Sequence, residues 1–305
     1  MTRVANLAQF QLSQANIQRT QSALAQNQIQ LATGKVAQSY SEIPTLSNQL
    51  VSLERSLQRG DQFLDNINQA QTRLNSTESA LSTLVDRAID IKSIISQGLN
   101  NNSIDDLPLQ SFARSFAEEI AGLLNSQLGG RYIFGGSRSD RAPVDLTDPA
   151  YTPQAGLPGA FTPDAGYYQG DDLEVSVRAG ENFEISYGVN ADDPAFEELL
   201  RAVSYLDFAG QNSDKSVLEQ AMTLVSSAIE GLSDLRSEVG ANSQILQKAS
   251  DGHEDFKTFA TNIVSSIEDV DIAQATTELA FNENQLRGSF LSLTRLNNLS
   301  LLQFL

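Results

Sequence analysis

Residues 218–270, LEQAMTLVSSAIEGLSDLRSEVGANSQILQKASDGHEDFKTFATNIVSSIEDV, decide the fold. Stepping alternately by three and four from Leu218 reaches Ala221, Val225, Ala228, Leu232, Leu235, Val239, Asn242, Leu246, Ala249, His253, Phe256, Ala260, Ile263, Ile267 and Val270. Fourteen of these sixteen positions are apolar. The alternation averages 3.5 residues, the repeat of helices wound about each other. A seam sustained over 53 residues predicts one long helix, and that helix needs a long partner. The partner lies upstream: the same stepping from Leu46 to Ile95 meets eleven apolar residues in fifteen positions. The exceptions are Gly60, Gln71, Glu78 and Lys92.

Proline placement agrees. Of 8 prolines, 6 lie between Pro143 and Pro194, and none occurs from Thr45 to Leu107 or after Pro194. A mid-helix proline costs ~3 kcal/mol, so its absence marks the two helical flanks. Gly98 and Asn100 to Asn102 are expected to stop the first long helix, with Asp105 and Asp106 able to cap the next. That next segment carries Leu109, Phe112, Phe116, Ile120 and Leu123 on one face and ends at Gly129-Gly130.

Between the flanks the pattern changes. Residues 136–200 hold 13 acidic and 3 basic side chains, −10 of the total −18. Arg131 to Phe134 reads as a strand. Residues 173–177 and 183–187 alternate apolar and polar, which predicts a hairpin with a five-residue loop at 178–182. The expectation is a compact, acidic, β-rich insert.

The two ends resemble each other. Phe10, Ile17, Leu24 and Leu31 recur every seven residues; so do Ile272, Leu279, Leu286 and Leu293, after a phase slip at Glu268 to Asp271. No acid precedes Glu42 and none follows Glu283. One large apolar residue per two turns is too little to order a 30-residue segment in isolation. The reading is that both ends are largely disordered in the free chain and become helical on pairing with each other and with neighbouring copies. The eight residues are the expected assembly interface. A plain four-helix bundle is the simpler alternative. The parallel row Gln14, Gln21 and Gln28 is either solvated or bonds between subunits.

Composition excludes several chemistries. Cysteine is absent, which rules out disulfides, cysteine metal sites and a thiol nucleophile. The single histidine, His253, sits on the helical seam, where packing or a partner contact is its expected role. No catalytic, cofactor-binding or metal-ligating residues are expected. Asp171, Asp172 and Glu174, with Asp192 and Asp193, lack calcium-loop spacing and read as solvated surface. A charge of −18 argues against nucleic acid or an anionic membrane as partner. The first residues have no basic region leading into an apolar run, so no secretory signal peptide is expected.

Three motifs carry a family resemblance. Leu31-Ala32-Thr33-Gly34-Lys35 resembles the L-[AS]-[ST]-G-K segment after the first helix of flagellins and their relatives. Arg131-Tyr132-Ile133-Phe134-Gly135-Gly136-Ser137 is similar to the GRY-[IL]-F-[SG]-G-[ST] segment of the hook–filament junction branch. Ile267-Glu268-Asp269-Val270-Asp271-Ile272-Ala273 resembles the IED-x-D-x-A segment near the flagellin C-terminal region. The resemblance spans both flanks and not the acidic insert.

It implies a non-enzymatic, extracellular subunit of the bacterial flagellum at the hook–filament junction. Such a subunit leaves the cell through the flagellar type III apparatus without a cleavable signal and polymerises by its terminal helices. The implied partners are further copies of the chain, the first hook-associated protein, flagellin and a type III export chaperone. The same resemblance admits a flagellin filament subunit. A reading of another class is a surface module whose acidic insert binds a cation or ligand.

The expected fold is therefore mainly α with a small β-rich insert: a long antiparallel helical rod with coiled-coil-type terminal helices. Residues 1–41 with 269–305 would form the polymerisation domain, 42–129 with 201–268 the rod, and 130–200 the insert.

Overall fold

The computed structural model describes residues 2–101, 104–157, 159 and 162–301. Among these residues six long helices follow in chain order: α1 (Thr2–Thr33), α2 (Ser47–Asn100), α3 (Leu109–Leu124), α4 (Pro194–Asn212), α5 (Lys215–Glu268) and α6 (Ile272–Leu301). Among the described residues between α3 and α4 lie four short strands: β1 (Gln127–Leu128), β2 (Arg131–Tyr132), β3 (Ser176–Gly180) and β4 (Phe183–Ser186). The fold is thus mainly α with a small β insert. The chain forms two compact units, one of residues 1–59 and 256–305, the other of residues 60–255.

The second unit contains the large core. A continuous apolar cluster runs from Ile67 to Leu246 and lies wholly within 60–255. Inside it, α2 and α5 are antiparallel: Phe63 stacks on His253, the Gln71 amide donates to Gln247, and the Arg236 guanidinium approaches Glu78. The buried column on α2 is Ile67, Ala70, Leu74, Thr77, Leu81, Leu84, Ala88, Ile91 and Ile95. One of the two expected columns is therefore one residue earlier, at 70, 77, 84 and 91. Gln71, Glu78 and Lys92 fell on the seam only because that column was misplaced. On α5 the expected positions Leu218, Ala221, Val225, Ala228, Leu232, Val239 and Leu246 are all buried.

Gly98 does not stop α2, which continues to Asn100. A Cβ there would come within 2.9 Å of the Leu218 side chain, so the glycine permits close approach of α5. The cap position of α3 is Pro108, which has no side-chain acceptor, and not Asp105 or Asp106, which belong to the preceding short 3₁₀ turn. Asn102 lies outside the described residues. Helix α4 opens on Asp193, whose carboxylate accepts from Ala195 N–H at 2.9 Å with Pro194 in the first turn. Ser213, at φ 54°, breaks α4 from α5, and Asp214 caps α5 through Ser216 N–H. Nothing in the apolar spacing marked this break.

Gly129 and Gly130, at φ +59° and +78°, make the two-residue turn between β1 and β2. Two consecutive positive φ angles suit the right-handed twist of paired strands. The second hairpin differs from expectation. Ser176 pairs with Ser186, Arg178 with Glu184 and Gly180 with Phe183, so the turn is Glu181-Asn182 and a bulge sits at Ala179. The bulge puts Ala179 and Gly180, adjacent in sequence, both on the buried side. Arg178 closes the turn by donating to the carbonyls of Gly180 and Glu181.

Elsewhere the insert is built from turns. The carboxylates of Asp145, Asp148, Asp164 and Asp171 each accept from the backbone N–H two residues ahead, at 2.8 to 3.3 Å. Local side-chain acceptors replace strand ladders in a proline-rich segment. Much of its acidity is therefore structural.

Candidate assembly surface

In the first unit, α1 and α6 lie against each other. Ile17 is buried to 8% exposure and Leu24 and Leu31 are half-buried, while Phe10 is 38% exposed. Across from them Leu279, Leu286 and Leu293 are half-buried, with Ile272 left 64% exposed. The pairing covers much of the predicted stripe within one chain. Ala275 is buried beside it. Gln14, Gln21 and Gln28 are exposed to solvent.

The seam also contains polar groups. Thr20 and Asn27 are buried; the Thr20 hydroxyl donates to Asn16 O at 3.0 Å, and Asn27 Nδ2 has no hydrogen-bond partner. A buried, unmatched donor weakens a helix pair. Outside the seam Leu12, Ile29, Phe281, Phe290 and Leu291 stand exposed. Spacing by seven did not single these out, because Leu12, Ile29, Phe281 and Leu291 lie on the far side of their helices from the stripe and only Phe290 on its flank.

Two of the sequence motifs meet at the inner end of this pair. Gly34, at φ +71°, ends α1 and turns the chain so that Lys35 forms an antiparallel bridge with Asp269. Val36 N–H donates to Glu268 O at 2.7 Å, and Val270 N–H to Gly34 O at 2.9 Å. Lys35 Nζ reaches Glu268 Oε2 at 2.6 Å and Asp269 Oδ1 at 3.1 Å. The Ser265 hydroxyl donates to the other Asp269 oxygen. Hydrogen bonding to Glu268, then to Asp269, lifts the Lys35 ammonium above its ordinary pKa. Asp269 is held below the ordinary carboxylate value, first by Ser265 and then by Lys35. Asp271 caps α6, accepting from Ala273 and Gln274 N–H. The residues of this clasp were legible as separate motifs. Their contact was not, since 233 residues separate Lys35 from Glu268.

The third motif packs the second unit. Ile133 and Phe134 are buried, with Phe134 edge-on to Phe196. Ser137 donates through both its N–H and its hydroxyl to Asp171, whose pKa this lowers. His253 Nε2 donates to Ala179 O at 2.8 Å while its ring stacks on Phe63, a packing role. Among the described residues no cluster of three or more His, Cys, Asp or Glu is placed to hold a metal. No helix among them is long and apolar enough to cross a membrane.

What the fold defines is a mainly helical chain whose first and last helices, α1 and α6, pair with each other. Residues 4–139 match the bacterial flagellin N-terminal helical region, and residues 222–305 match the bacterial flagellin C-terminal helical region. The chain belongs to the flagellin family. Three solved structures resemble it. A Vibrio parahaemolyticus protein assigned to the flagellar hook-associated class is 17% identical, with TM-score 0.60 over 75% of this chain and 100% of its own. Bacillus cereus FlgL is 20% identical, with TM-score 0.52 over 72% and 99%. Xanthomonas campestris FlgL is 14% identical, with TM-score 0.55 over 70% and 100%. No curated protein matches the chain.

Proposed function

We propose that this chain is the subunit joining flagellar hook to filament, exported through the type III apparatus and polymerised by its terminal helices. Residues 1–41 with 269–305 act as the polymerisation domain, 42–129 with 201–268 as the helical stem and 130–200 as the acidic insert. Phe10, Ile17, Leu24, Leu31, Ile272, Leu279, Leu286 and Leu293 form the assembly seam. Its neighbours in the stack are other copies, the first hook-associated protein and flagellin, and an export chaperone holds the terminal helices beforehand.

The observation that carries the reading is the exposure of Leu12, Phe281 and Leu291, at 68%, 66% and 64%, on a helix pair with little core of its own. Apolar side chains displayed in this way are covered when a second copy stacks. The junction is favoured over the filament because the solved structures that resemble the chain include hook-associated proteins and FlgL.

Phe281→Asp and Leu291→Asp should leave the melting temperature of the dilute chain within about 2 °C and abolish incorporation, because only stacking buries these positions. Electron microscopy of a strain lacking the gene separates the two placements. Hooks without filaments, with flagellin shed into the medium, support the junction. Filaments of altered length or shape on intact cells would move the chain to the filament.

A further inference from the structure

We propose that Lys35, Glu268 and Asp269 form a register lock, fixing which residues of α1 stand level with which residues of α6. Both helices climb at the same rise per residue, so one fixed point sets the alignment of the whole antiparallel pair. The bridge between Lys35 and Asp269 is that point. Four residues back from Lys35 is Leu31, and three forward from Asp269 is Ile272. Eleven back and ten forward are Leu24 and Leu279; eighteen and seventeen, Ile17 and Leu286; twenty-five and twenty-four, Phe10 and Leu293. The count differs by one residue every time, so the four pairs of heptad-spaced side chains share a single stagger, and one bridge brings all of them into register together.

The helices themselves do not select this alignment. Sliding α1 by one heptad, ~10.5 Å, would still leave three of the four pairs level. Buried polar groups can specify register, but those on α1 do not do so here. Thr20 spends its hydroxyl on its own helix, and Asn27 Nδ2 finds no partner. What distinguishes the observed register is the charged clasp, with its two backbone hydrogen bonds and the turn at Gly34. Exposed ion pairs of this kind add little to stability. The lock is a property of the single chain and does not rest on the polymerisation reading.

The absence of cysteine allows a direct test in the full-length chain at low concentration. Ile17→Cys with Leu286→Cys reports the level register. Ile17→Cys with Leu279→Cys, or with Leu293→Cys, reports slips of one heptad in either direction. On mild oxidation the level pair should cross-link about tenfold faster than either slipped pair, since a disulfide tolerates little separation between Cα atoms. Adding Lys35→Glu should bring the three rates within about twofold of one another. Lys35→Arg should keep the preference, and Lys35→Glu with Glu268→Lys and Asp269→Lys should restore it. Equal rates in the parent chain would overturn the proposal. So would a preference that survives Lys35→Glu, or a charge-reversed triple variant that has normal helicity by circular dichroism and no preference. Should Lys35→Glu lose its helices, the triple variant decides the matter.

Discussion

Glu197 and Arg201 show how a polar residue can serve a core rather than a site. Both lie on α4, and their side chains are 6% and 1% exposed. The carboxylate pairs with the guanidinium and also accepts from Asp164 N–H at 2.9 Å, which ties a turn of the insert to the helix. Removing one partner of a buried ion pair leaves a charge without compensation, whereas replacing both by apolar residues of similar size is often tolerated. Glu197→Gln should lower unfolding stability by about 3 kcal/mol, and Glu197→Leu with Arg201→Met should recover most of that loss. Urea titrations of the three proteins test this. A double variant less stable than the single would mean that the charges are a net support of the fold. The pair was not distinguishable in sequence, because Glu and Arg four residues apart are equally common on solvated helix faces.

At the scale of the element, α2 carries the lesson. Its heptad pattern was visible, yet one of its two columns was placed a residue late. The cause is the chain itself: Leu64 and Val85 offer half-buried apolar side chains just beside the true column, and periodicity alone cannot choose between adjacent columns. The facing surface of α5 chooses. Leu84 is fully buried and Val85 only half-buried. Leu84→Ala should therefore cost about 2–5 kcal/mol, and Val85→Ala no more than about 1. Comparable losses at both positions, read from thermal unfolding, would show that the seam lies between the two columns. The β3–β4 hairpin follows the same logic in miniature, since burial of Ala179 and Gly180 moved the turn away from where alternation placed it.

The whole molecule divides its charge as it divides its core. Residues 1–59 and 256–305 hold 8 basic and 7 acidic side chains; residues 60–255 hold 12 and 31. The first unit is thus +1 and the second −19. In the proposed assembly a near-neutral first unit would let copies approach through the terminal helices, while the acidic units of neighbouring copies would repel. Screening shortens that repulsion to ~8 Å at physiological ionic strength. Polymerisation of the purified chain, followed by light scattering, should accordingly start at a several-fold lower concentration in about 0.5 M than in about 0.05 M sodium chloride. Onset at the same concentration in both would mean that the acidic units stay beyond one another's reach in the assembly.

The sequence by itself determined the helical class, the proline-bounded insert, the α5 seam and the pairing of two similar ends. Each of these is written in spacing, and spacing is a local property of the chain. Tertiary structure alone decided which α2 column faces α5, why the insert's aspartates are there, and that Lys35 meets Glu268 and Asp269. Those outcomes depend on which distant surfaces come together, and burial energy is settled only between surfaces in contact.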